Sequence, residues 1–124
     1  MRSLILAALC LAPSPALAHD FNCRNDKAEI RCDRGACEIE SGSFTPMGLT
    51  RRGAILSICA YSGCSEGPIL MHRTLRGIEL LYAEVRLTQR GKRAPEPIAV
   101  IYDRAQNTAQ MRWGRFSNAM SCGE

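Results

Sequence analysis

Apolar and polar side chains alternate along most of this chain. Gly and Pro interrupt the alternation about every ten residues, a rhythm that suits short strands joined by turns. Ala28, Ile30 and Cys32 alternate with Glu29 and Arg31, and Cys37 and Ile39 alternate with Glu38 and Glu40. These runs read as two strands around the turn Asp33-Arg34-Gly35-Ala36. Pairing Cys32 with Cys37 across that turn sets Ile30 opposite Ile39 on one face and Arg31 opposite Glu38 on the other. Glu29 then falls opposite Glu40, and like charges there end the ladder.

The same reading continues downstream. Phe44 to Arg51 and Ile55 to Ala60 are strand candidates, the second nearly all apolar or small and therefore central. Ser62-Gly63 supplies turn chemistry, and Ile69-Leu70-Met71 is a short apolar stretch. Between Gly77 and Gln89 a strand sets Leu81, Ala83, Val85 and Leu87 inward and Glu84, Arg86 and Thr88 outward. A helix would leave Leu80 and Leu87 off its apolar stripe. Residues 90–97 form a loop. Ile98 to Tyr102 and the alternating Ala109, Met111 and Trp113 give two more strands, joined by a hairpin loop over Asp103 to Asn107. The expected fold is all-β: a small single-domain antiparallel sandwich or barrel of about seven strands.

The N-terminus changes the setting. Arg2, the apolar run Leu4 to Leu11 and the small-x-small site Ala16-Leu17-Ala18 form a secretory signal over residues 1–18. The mature domain is then 19–124, beginning at His19, exported to the periplasm or beyond and carrying no transmembrane segment. Cys10 leaves with the signal, so six of the seven cysteines remain, as an oxidising compartment favours for disulfides. Six thiols allow 15 complete pairings. The two C-x4-C units, each around turn-prone residues, pair locally as Cys32–Cys37 and Cys59–Cys64. Cys23–Cys122 then ties the ends of the mature chain, as suits a closed sheet whose first and last strands are neighbours. Four cysteines in two such units also approach a zinc pattern, but export and a spacing at the upper limit weigh against it. No C-x-x-C redox motif is present. No cofactor is expected.

The chain carries a formal net charge of +4, mostly through arginine. Arg51-Arg52, Arg73 with Arg76, Arg90 to Arg93 and Arg112 with Arg115 are local basic clusters, which suit an anionic glycan or lipid of the envelope. Acidic residues are interspersed, so no nucleic-acid partner is expected. Gly63-Cys64-Ser65-Glu66-Gly67 fits the Gly-x-Ser-x-Gly pattern of a nucleophile turn. Its only downstream histidine, His72, lies seven residues on and leaves no room for the strand-turn-helix layout that this chemistry needs. The expectation is a non-catalytic binding or interaction protein, not an enzyme, whose partner is a protein or envelope ligand that the sequence does not name. The candidate binding loop is Tyr61 to Gly67, braced by Cys59–Cys64 and presenting Tyr61, Ser62 and Glu66.

Two resemblances add alternatives. A mature chain opening on His19, with His72 as a second imidazole, resembles the start of secreted copper proteins such as the lytic polysaccharide monooxygenases and small periplasmic copper carriers. That resemblance implies a copper site at His19 and His72. In size, export, strand pattern and the Ser62-Gly63 loop, the chain is similar to the periplasmic lysozyme inhibitors, which are small β-barrels, and that similarity implies inhibition of a lysozyme.

Overall fold

The computed structural model of the chain describes residues 19–61, 63–88 and 94–123; the signal and Ser62 lie outside them. Ten strands follow in order: β1 (Phe21–Asn25), β2 (Glu29–Asp33), β3 (Ala36–Glu40), β4 (Met47–Arg52), β5 (Ile55–Ala60), β6 (Gly63–Leu75), β7 (Ile78–Leu87), β8 (Glu96–Asp103), β9 (Thr108–Trp113) and β10 (Phe116–Gly123). All neighbours are antiparallel. The sheet order is β1-β4-β5-β6-β7-β8-β9-β10-β2-β3, and β1 also pairs with β10. Eight strands therefore close into a barrel, with the β2–β3 hairpin attached to the first half of β10.

The alternation decides what lies inside. Leu49, Leu56, Ile58, Leu81, Ala83, Val85, Ile98 and Val100 all point inward and are essentially inaccessible to water. Burying one such aliphatic side chain is worth about 1.5–3 kcal/mol, so this lining is the main source of stability. The sheet has ten strands, eight of them in the barrel, against about seven expected. β1 and β10 were not among those expected, the β2–β3 hairpin lies outside the barrel, and β6 runs through Gly67 and Pro68 to join two pieces that read separately in the sequence. β1 and β10 are short or polar, and their hydrogen-bonding partners rather than their own composition make them strands.

The three disulfides pair Cys23 with Cys122, Cys32 with Cys37 and Cys59 with Cys64. Each joins directly opposed residues of neighbouring strands. Cys23–Cys122 lies inside the barrel, on the seam where β1 meets β10. Cys59–Cys64 lies on the outer wall.

In the β2–β3 hairpin, Ile30 opposes Ile39 and Arg31 opposes Glu38, whose side chains meet at 3.3 Å. Arg34 and Gly35 both have positive φ, as a two-residue type I′ turn demands. Glu29 and Glu40 form the last pair. Burial pushes the Glu29 carboxyl above its ordinary value, Arg31 opposes that shift, and Glu40 adds to it.

Ser65 and Gly67, from the nucleophile-like motif, have structural places. Ser65 is buried mid-strand, with no strand-to-helix turn. Gly67 lies so close to β7 that a Cβ there would sit 1.7 Å from the Glu84 carbonyl oxygen. Gly67→Ala forces the β6–β7 ladder apart and should cost about 1–3 kcal/mol, read as a lowered midpoint in denaturant. Among the disulfides, the chain-entropy account gives about 2 kcal/mol for each short loop and about 4.7 kcal/mol for the end-to-end loop. The Cys23→Ala/Cys122→Ala double variant should therefore lose the most stability of the three pairs in thermal melts. Equal losses would show that barrel closure does not depend on its seam.

Candidate functional site

Outward-facing positions of four strands, most of them polar, gather on one wall. β1 contributes Asn22 and Arg24, β4 Gly48 and Thr50, β5 Ser57 and Cys59, and β10 Ser121. Their register follows from Asn22 opposite Thr50, Arg24 opposite Gly48 and Ser121, and Gly48 opposite Cys59. Between them runs an open groove of about 460 Å³, bounded by Pro46, Met47 and Tyr61 at one end. A second depression of about 250 Å³ continues it over Thr50, Arg52, Ser57 and Glu66. Cys59 lines both, so the outer-wall disulfide forms part of a shared floor.

Tyr61 is the most exposed large hydrophobic side chain among the described residues, at 90%. It sits on the β5–β6 turn with φ 54°, a left-handed conformation that is unfavourable for a bulky side chain. Its hydroxyl is hydrogen-bonded to the Thr45 hydroxyl, which ties the ring to the segment leading into β4. Arg34 and Arg76 take the same conformation at the first position of their own two-residue turns, so it belongs to the hairpin connection. Glu66 stands on the outer face of β6, between Ser57 and Arg86. Tyr61 lines the groove and Glu66 the second depression, with Cys59 common to both, while Ser62 is outside the described residues. The sequence reading missed Asn22, Arg24, Thr50 and Ser57. Alternation marks each as outward, but only barrel closure brings them together.

A second cluster closes one end of the barrel. Glu79 is inward-facing on β7 and 1% exposed; Arg51, inward-facing on β4, is 2% exposed. Arg51 donates from Nη1 to Glu79 Oε2 at 2.6 Å, and Arg104 donates from Nη2 to Oε1 at 2.8 Å. His72 Nε2 lies 2.9 Å from the same Oε2, and His72 Nδ1 lies 3.5 Å from Arg51 Nη2. A guanidinium only donates, so Nδ1 accepts from Arg51 and the Nε2 hydrogen goes to Glu79. The Arg51 Nε also donates to the Gly53 carbonyl at 3.1 Å, while the Gly53 amide donates to Asp20 at 2.7 Å. The network therefore spans β4, β6, β7 and the β8–β9 turn. Extending the inward parity of Leu81 and Leu49 by two residues reaches Glu79 and Arg51, a signal already present in the sequence.

His19 and His72 lie at this same end. His19 stacks over Tyr102 at a centroid distance of 6.0 Å, and Tyr102 stacks on Phe21 at 4.5 Å. Both nitrogens of His72 already face partners, Glu79 on one side and the Arg51 guanidinium on the other. Among the described residues no group of three or more His, Cys, Asp or Glu is placed to hold a metal ion. Burial pushes the Glu79 carboxyl up, but hydrogen bonds and charge from Arg104 and Arg51 outweigh it and leave the group below its ordinary value of 4.5.

Comparisons with known protein families, with curated proteins and with solved structures return no match for this chain.

A carboxylate held below its unfolded value stabilises the fold above that value. Its contribution is lost as pH falls below about 4.5 through the folded value. The acid limb of stability should therefore flatten in Glu79→Gln. Glu79→Ala, which leaves Arg51 buried without its partner, should cost about 3–5 kcal/mol at neutral pH, read by denaturant titration across the pH range.

Proposed function

We propose that the chain is an exported, non-catalytic binding protein whose ligand lies in the outer-wall groove between Tyr61 and Glu66. The observation that carries this reading is the exposed Tyr61 ring, fixed by Thr45 and by a left-handed backbone, at the rim of an open polar depression. An aromatic face beside amide, hydroxyl, guanidinium and carboxylate groups suits an extended polar ligand such as a saccharide segment: the ring supplies a stacking surface, and the polar groups fix orientation. Three disulfides support work in an oxidising compartment. The groups at the other end of the barrel are engaged with one another, which favours the groove as the place for a ligand.

Inhibition of a lysozyme is the second reading. It is favoured by the closed barrel of this chain, since the periplasmic inhibitors it resembles in format are small β-barrels. The net charge of +4 opposes docking to a basic lysozyme. A lysozyme assay that keeps full activity at excess protein removes it.

The test of the first reading is an oligosaccharide array probed with the mature chain and with Tyr61→Ala. Retention by the native chain should fall about tenfold in the variant, the loss typical of an aromatic anchor, with no change in melting temperature. No retention of any saccharide, or equal retention by both chains, would overturn the assignment of the groove.

A further inference from the structure

A different wall of the barrel breaks the polar-outside pattern. The first half of strand β7 is apolar on its outer face, before that face turns polar at Glu84 and Arg86. Leu81, Ala83 and Val85 fill the interior, while Ile78, Leu80 and Tyr82 face outward. The register extends this outward face sideways. Tyr82 lies between Met71 and Ala99, and Leu80 lies between Arg73 and Ile101. At the hairpin end, Ile78 lies between Leu75 and Asp103. The groove wall at equivalent outward positions carries Asn22, Arg24, Thr50, Ser57 and Ser121, so the apolar wall is a local property of β6 to β8.

The wall is also open. β5 pairs with β6 only as far as Pro68, after which the register shifts between Ile69 and Met71. The rest of β6 keeps β7 as its one partner strand. Leu70, Met71, Leu75 and Ile101 are four of the seven large hydrophobic side chains exposed among the described residues, and Leu75, beside the hairpin turn, is 64% exposed. A contiguous exposed apolar patch marks an interaction surface.

Charge selects the occupant. Arg73 sits within the patch, Arg76 forms the turn beside Leu75, and Arg112 flanks Ala99. None of the three is ion-paired to an acid among the described residues. Asp103, the one acid in these rows, accepts from the Ala105 and Gln106 amides of its own turn. Pairing with a second copy through this face would gather the arginines of both copies into one interface, because a two-fold contact uses the same patch on both sides. It would also press two convex walls together. An anionic lipid surface answers both points: headgroups meet the arginines, and the acyl boundary takes Leu75 and its neighbours without needing a matching shape. We propose that the β6–β7 hairpin and the adjoining face of β8 dock this protein on an anionic membrane surface, at a site separate from the groove.

Vesicle co-sedimentation of the mature chain tests this, using phosphatidylcholine alone and an equal mixture of phosphatidylcholine with phosphatidylglycerol. The native chain should sediment with the mixed vesicles and release as salt is raised. Arg73→Gln/Arg76→Gln should weaken binding by about fivefold per arginine, and Leu75→Ser by about tenfold or more. Melting temperatures of all variants should match the native value. The arginine variant leaves the apolar positions intact, so it reads the same surface if Leu75→Ser disturbs folding. Equal binding to both vesicle types, or no binding to either, overturns the proposal. A dimer in sedimentation equilibrium that Leu75→Ser dissolves, in a chain that ignores vesicles, assigns the face to a second copy instead.

Discussion

Strand β1 is hydrogen-bonded on both sides. Phe21 to Asn25 pair with Arg51 to Met47 of β4, and Asn22 to Arg24 pair with Gly123 to Ser121 of β10. This double pairing turns an open sheet into a barrel and removes two free edges. The cost is entropic, because the joined strands lie almost a whole domain apart in sequence and the loop must close before its contacts form. Cys23–Cys122 offsets that cost at the seam itself, with a separation of 99 residues between the bonded cysteines. The groove depends on the same seam. Asn22, Arg24 and Ser121 become neighbours of Gly48 and Cys59 only because β1 sits between β10 and β4.

Inside, the barrel is built in two chemistries. Its middle is aliphatic and closely packed. Its end near β4, β7 and the β8–β9 turn is filled by a carboxylate, two guanidiniums and an imidazole, capped by the Phe21 and Tyr102 rings. Such a network is not a cheap source of stability, because the Arg51 and Glu79 charges give up water on entering the interior. What it does provide is geometry: both Glu79 oxygens are occupied by donors from other strands, so β4, β6 and β7 hold one relative position at this end. At the far end, Asn118 donates to the Met47 sulfur at 3.5 Å, and the Asn25 Nδ2 and Asn118 Oδ1 atoms find no partner among the described residues. The two ends therefore differ in how fully their buried polar groups are satisfied.

Much of the fold was legible where two independent patterns agreed. In the β2–β3 hairpin, cysteine spacing and side-chain alternation gave one register, and that register is present down to the terminal Glu29–Glu40 pair. Residues 78–87 read correctly as a strand because Ala83, Val85 and Leu87 alternate with Glu84 and Arg86. β10 was not legible: Ser117, Asn118 and Ser121 weaken its apolar signal, and β9, β2 and β1 supply the pairing that makes it a strand. The candidate site was legible only in part. Tyr61 and Glu66 stand out beside a braced turn, but the polar groups between them come from strands distant in sequence. Outward Leu80 and Tyr82 were visible as letters, yet their exposure follows from the closed barrel and from β5 ending short of the β6–β7 tip.

The groove exists only in the closed sheet, because β1 must bridge its two neighbours to bring Asn22, Arg24 and Ser121 beside Gly48 and Cys59. Cross-strand nuclear Overhauser contacts from Arg24 of the oxidised mature chain test that bridge most directly, because Arg24 opposes Gly48 on one side and Ser121 on the other. Backbone contacts from Arg24 to both residues are expected. Contacts to Gly48 without any to Ser121, under conditions where Cys23 and Cys122 are bonded, would contradict the closed barrel.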